Sequence, residues 1–211
     1  MYYHCAGHDS RPHGRVFPLI TGLLFTFIAI CFGIAALSFF LCKSKRDWLF
    51  LTLALGFTLW ADYFLILHDR HLPGVAVFCF AHGAYILRAT NKPPKFLLGL
   101  ALLIPAFFWL DPIYVFTALY AALFVSNIYI TARHLKHNRL LAVTGLLLFA
   151  ACDVCVLIFN LPGYFGAPSW LRNIYPMIWV FYLPSQVILA ISAIDFRFIK
   201  TLRPSAPSQA P

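Results

Sequence analysis

Along nearly the whole chain, apolar residues run in long continuous stretches separated by short clusters of charge. The runs do not alternate apolar with polar positions, as barrel strands do. Lipid offers no partner to backbone N–H and C=O groups, so a continuous apolar run that crosses it must be helical. A spanning helix needs about 20 mostly apolar residues. Seven runs reach or approach that length: Val16–Cys42, Trp48–Leu67, Leu72–Leu87, Phe96–Leu110, Pro112–Thr131, Leu140–Phe159 and Ile174–Ile194. The third and fourth are short and are expected to extend into their flanks. The pattern predicts an all-α, polytopic membrane helix bundle of about seven transmembrane helices. Residues 16–195 form the transmembrane domain, 1–15 an extracytoplasmic segment, and 196–211 a cytoplasmic tail whose Pro, Ser, Ala and Gln suit a disordered end.

Composition supports this. Of 211 residues, 62% are apolar and 11% charged, where a soluble domain carries roughly 25% charged residues. A single globular core cannot hide so much apolar surface, so lipid must cover it and no sizeable soluble domain is expected. The first run exceeds the 7–15 apolar residues of a cleavable signal, and further spans follow. The formal charge of +9 does not imply a nucleic-acid partner, because no basic patch with interleaved aromatics is present. The bases sit between the apolar runs.

Their distribution orients the bundle. One side receives Lys43, Lys45 and Arg46, then Arg88, Lys92 and Lys95, then Arg133, Lys136 and Arg139, then Arg197, Lys200 and Arg203. The other receives Arg11, Arg15, Arg70 and Arg172. Twelve against four predicts that the N-terminus is outside and the C-terminus cytoplasmic, in a multi-pass protein of the inner or plasma membrane if the source is bacterial. The stretch Asn160–Asn173, with Pro162, Gly163, Gly166, Pro168 and Trp170, is predicted as the longest connection, on the outer face.

All seven acidic residues are Asp. Asp9, Asp47, Asp69, Asp111 and Asp195 lie at helix ends or beyond, where water explains them. Asp62 and Asp153 lie inside apolar runs, where an ionisable group costs at least about 2.5–3.5 kcal/mol. Neither has a Lys or Arg within its own run, so both should face the bundle interior. Counted from the outer ends of their predicted helices, both lie roughly 8–9 Å deep, which suggests a shared site. His82 and Tyr85 on the third helix, and Tyr182 and Gln186 sharing one face of the seventh, converge on it. Asn127 with Ser126 reads as helix-packing glue. Cys152 and Cys155 read as small apolar residues despite their redox-like spacing. No Gly-rich phosphate loop, nucleophile elbow or His-Glu-x-x-His is present, and no metal ligand set or cofactor is expected. Buried carboxylates also serve as proton or cation sites, so a transporter or channel is the rival to an enzyme.

At these residues the sequence resembles the YhhN-type lysoplasmalogenases. That family carries a Gly-Asp-x-x-Leu-like segment, an Ala-His-x-x-Tyr segment in the next helix, a second Asp among small residues and a late Tyr-x-x-x-Gln. Here these read Ala61-Asp62-Tyr63-Phe64-Leu65, Ala81-His82-Gly83-Ala84-Tyr85, Ala151-Cys152-Asp153 and Tyr182-Leu183-Pro184-Ser185-Gln186. The family's Gly before the first Asp is Ala61, and seven runs stand where the family has eight spans. The resemblance implies hydrolysis of the vinyl ether bond of a lysophospholipid, giving a fatty aldehyde and glycerophospho-ethanolamine or -choline, without a cofactor. Asp62 and Asp153 would be the acid/base pair, since two carboxylates do comparable work in glycosidases. His82, Tyr85, Tyr182 and Gln186 would bind or orient substrate and water, with the head group near Arg172 or Arg70. The bilayer and the lysolipid are the partners this implies; no protein partner is predicted.

Overall fold

The computed structural model describes residues 16–42, 44–68, 70–90 and 110–194. Six long helices follow one another among them: α1 (Val16–Leu37), α2 (Lys45–Asp62), α3 (His71–Ala89), α4 (Pro112–His134), α5 (Arg139–Phe165) and α6 (Tyr175–Ile191). No strand occurs among the described residues; a single isolated bridge joins Cys42 to Ile194. Most of the predicted fourth run, Phe96–Leu110, lies outside the described residues, as do the expected terminal segments.

Local chemistry sets several boundaries. The Ser44 side chain accepts from the Asp47 backbone N–H and caps α2, satisfying a donor the first helical turn leaves open. Asp111 does the same for Ile113 at 3.0 Å, and Pro112 takes the first position of α4, where its missing N–H costs nothing. Asn138, with φ 48°, holds the left-handed turn before α5.

The expected loop from Asn160 is corrected in its first part: α5 continues through Phe165 with Pro162 inside it. One proline in the final turns removes a single backbone hydrogen bond, which does not stop a helix packed along its length. The helix ends instead at Gly166, which adopts φ 65°, the left-handed conformation that glycine takes at low cost. A 3₁₀ turn, Ser169–Ile174, then leads into α6.

Among the described residues, five helical stretches are long and apolar enough to cross a membrane: Lys45–Leu65, His71–Ala89, Pro112–His134, Arg139–Pro162 and Ser169–Ile191. Large apolar side chains point outward from them, with Phe80 63% and Leu157 60% exposed, as faces do that meet lipid rather than water.

Inside, small residues let helices approach closely. Gly145 of α5 faces α6 so tightly that a Cβ there would meet Leu189 Cγ at 2.7 Å and its backbone N at 3.3 Å. Contacts between α3 and α4 rise together in number: Cys79 Sγ lies 3.9 Å from the Phe116 carbonyl, while His82 meets Phe124 and Asn127. These two helices therefore run parallel.

One end of the bundle gathers the basic connections. Arg88 donates to Asp47 at 2.8 and 3.1 Å, to Ser192 Oγ at 2.7 Å and to the Ser192 carbonyl at 3.1 Å. Asn138 donates to the carbonyls of Ser192 and Ile194 at 3.0 and 2.7 Å. Arg46 donates to the carbonyls of Leu87 and Thr90. Asp47, expected to be solvated, is thus largely withdrawn from water with Arg88: their side chains are 13% and 2% exposed. Sequence reasoning did not foresee this because the partners are 41 positions apart.

Candidate functional site

Asp62 is the last residue of α2, which runs on without a break into a π turn, Tyr63–Leu67. Such widened turns inside helices occur most often at functional sites. Leu65 of this turn packs on α3 where Gly74 leaves room: a Cβ at Gly74 would lie 2.5 Å from Leu65 Cγ. The fit anchors the chain just after the carboxylate.

The Asp62 carboxylate is 4% exposed and accepts a hydrogen bond from the Tyr182 hydroxyl of α6. Asp153, partly buried on α5, accepts one from the Tyr120 hydroxyl of α4 at 2.5 Å. The two carboxylates are linked through their tyrosine partners: Tyr120 packs on His82, His82 on Phe149 and Phe149 on Tyr182. The depth count behind their pairing needs correction. With α5 ending at Phe165 rather than Phe159, Asp153 sits twelve residues from the helix end, not six.

His82 is fully buried and lies between the two pairs. Its ring is 5.1 Å from Tyr120, 4.3 Å from Phe124 and 5.9 Å from Phe149, and Phe149 in turn packs 5.6 Å from Tyr182. The ring of Tyr85 lies 6.3 Å from that of His82, centroid to centroid. Gln186, one turn beyond Tyr182, is fully buried and its Nε2 donates to Ser185 Oγ at 3.4 Å. Pro184 stands between them inside α6 and has no N–H to offer the Val180 carbonyl.

Three of these side chains hold buried polar atoms with no hydrogen-bond partner among the described residues: His82 Nε2, Tyr85 Oη and Gln186 Oε1. Buried polar atoms are nearly always paired, so three unpaired ones around two carboxylates mark a place built to receive polar groups. Trp179 Nε1, also unpaired among the described residues, sits one turn nearer the start of α6 than Tyr182, with ring centroids 6.1 Å apart.

Two participants were missed. Tyr120 lies amid an apolar run rich in aromatics, and nothing in its sequence neighbourhood marks it. Asn127, read as packing glue, does join α4 to α3, and its partner there is His82, with Nδ2 3.2 Å from Nδ1. Cys152 and Cys155 are buried free thiols, and no group of three His, Cys, Asp or Glu suited to a metal ion occurs among the described residues. Arg70 and Arg172 are exposed, flanking the π turn and α6.

Fold and site together define a helical bundle of membrane-crossing character with two hydrogen-bonded carboxylates and unpaired polar atoms enclosed within it. The YhhN family model matches residues 19–193, so the chain belongs to the YhhN family. No curated protein and no solved structure matches it significantly.

Proposed function

We propose that this protein is a membrane hydrolase that cleaves the vinyl ether bond of lysoplasmalogens. The observation that carries this reading is the presence of two aspartates, Asp62 and Asp153, inside an apolar bundle, each held by a tyrosine hydroxyl from a different helix. Membership of the YhhN family supports it.

A vinyl ether breaks when its outer carbon gains a proton, which leaves an oxocarbenium ion. Water adds to the cationic carbon and loses a proton, and the resulting hemiacetal releases the glycerol oxygen. The products are a fatty aldehyde and glycerophospho-ethanolamine or -choline. The sequence needs one positioned carboxylic acid and one carboxylate, which stabilises the cation and takes the proton from water. Carboxyl groups set close together in an apolar site tend to share one proton between them. Asp62 and Asp153 fill these two roles. His82, Tyr85, Tyr182 and Gln186 orient the carboxylates, the water and the glycerol oxygens. The single hydrocarbon chain lies among the apolar helices, with the head group toward Arg70 and Arg172.

In this reading the chain crosses the bilayer seven times, N-terminus out and C-terminus in the cytoplasm. The parallel course of α3 and α4 supports a further crossing between them. The gathering of Arg46 and Arg88 at one end supports that end as cytoplasmic.

The test is aldehyde release from lysoplasmenyl-ethanolamine by the purified protein, with Asp62→Asn and Asp153→Asn alongside. Release by the wild type and by neither variant is expected. No release from a folded wild type would overturn the reading and turn attention to proton-coupled flux through the same aspartates.

A further inference from the structure

Thr131, Asn127 and His82 form a hydrogen-bonded chain that the two-carboxylate reaction does not require. Thr131 and Asn127 are one turn apart on α4, and the threonine hydroxyl donates to Asn127 Oδ1 at 3.0 Å. With its oxygen so occupied, the amide turns its N–H toward His82, and Nδ2 lies 3.2 Å from His82 Nδ1. An N–H must face a lone pair. A hydrogen on Nδ1 would point at the amide hydrogens, so the ring carries its hydrogen on Nε2.

The rest of the pocket holds the ring in that pose. Phe124 stacks on it at 4.3 Å with an interplanar angle of 27°, while Tyr120 and Phe149 wall it at 5.1 and 5.9 Å. His82 and Asn127 are 0% exposed and Thr131 3%. The Nε2 atom has no hydrogen-bond partner among the described residues. A chain that served only to pack α3 against α4 would gain nothing from leaving a buried donor unpaired.

We propose that Asn127 and Thr131 are positioning residues that fix His82 as its Nε2–H tautomer, so that His82 serves as a hydrogen-bond donor to a substrate oxygen and not as an acid or base. The identity of that oxygen, on the glycerol or phosphate of the lysolipid, rests on the function proposed above. The tautomer does not.

The experiment is nitrogen NMR of the full chain labelled at histidine in lipid nanodiscs, with the His82 signals assigned by their loss in His82→Gln. The expected wild-type spectrum has an unprotonated Nδ1 and a protonated Nε2. In Asn127→Asp the carboxylate accepts a hydrogen from Nδ1, so the two nitrogens exchange character, and aldehyde release falls by about tenfold or more through the lost donor. His82→Gln, which restores a donor but no titratable nitrogen, retains more turnover than His82→Phe. A wild-type ring protonated at Nδ1 would overturn the proposal, whatever the fate of any variant. Equal loss in the two His82 variants would overturn the donor role. If the tautomer exchanges in Asn127→Asp but the wild type releases no aldehyde, the relay stands and the proposed reaction falls.

Discussion

The hydroxyl of Tyr182 on α6 donates to the carboxylate of Asp62 on α2, tying together two helices separated by most of the chain. The contact between Tyr120 and Asp153 repeats the arrangement on α4 and α5. Each carboxylate thus has one oxygen engaged, which leaves the other to face substrate or water.

Removing either hydroxyl therefore slows turnover without abolishing it. A hydrogen bond to an ionised group contributes about 1.5–3 kcal/mol, so Tyr182→Phe and Tyr120→Phe are each expected to lower kcat roughly 10- to 100-fold. The aspartate variants lose it entirely. Aldehyde release from lysoplasmenyl-ethanolamine measures both. Rates unchanged in both Phe variants would show that the tyrosines only pack.

How much of this was legible beforehand depends on the range of each signal. Helix type came from unbroken apolar runs, a local property, and the two candidate carboxylates stood out because an Asp is costly inside such a run. Their partners were another matter. Tyr120 is one aromatic among many, and only the meeting of α4 with α5 gives it a role. Asn127 resembled ordinary packing glue until α3 brought His82 against it. Asp47 looked solvated because its partner Arg88 lies on another helix. At the end of α5 a local signal misled: Pro162 and Gly163 read as a loop, whereas Gly166 ends the helix. The π turn after Asp62 has no mark in the sequence, since its apolar residues would suit an α-helix equally well.

The Asp47–Arg88 pair lies at the far end of α2, fifteen residues or roughly 22 Å from Asp62, so its loss should act on stability rather than chemistry. Arg88→Ala leaves a largely buried carboxylate without its partner, at a cost of about 3–5 kcal/mol. Asp47→Asn with Arg88→Met removes both charges and should recover much of that loss. Thermal unfolding in detergent, read as a double-mutant cycle, gives the answer. An Arg88→Ala protein as stable as wild type would show that the pair contributes nothing.

Gly145 tests the approach of α5 to α6. Its missing Cβ would meet both the side chain and the backbone of Leu189. Leu189→Ala therefore relieves only part of the crowding that Gly145→Ala introduces. The glycine variant should lose about 1–3 kcal/mol, and the double variant should remain below wild type. Because α5 and α6 carry Asp153 and Tyr182, aldehyde release should fall in parallel. Full recovery in the double variant would mean that only side chains collide there.

Topology can be read independently of any chemistry. Lys136 lies in the connection between α4 and α5, and Ser169 opens the 3₁₀ turn before α6; both are exposed. The charge distribution predicts the first on the cytoplasmic side and the second outside. In intact cells or spheroplasts, a membrane-impermeant maleimide should label Ser169→Cys above the parent chain and leave Lys136→Cys unlabelled until the membrane is opened. The reverse pattern would invert the bundle and turn the π turn beside Asp62 toward the cytoplasm. It would also send the lysolipid head group to that side, since Arg70 and Arg172 lie at the same end as Ser169.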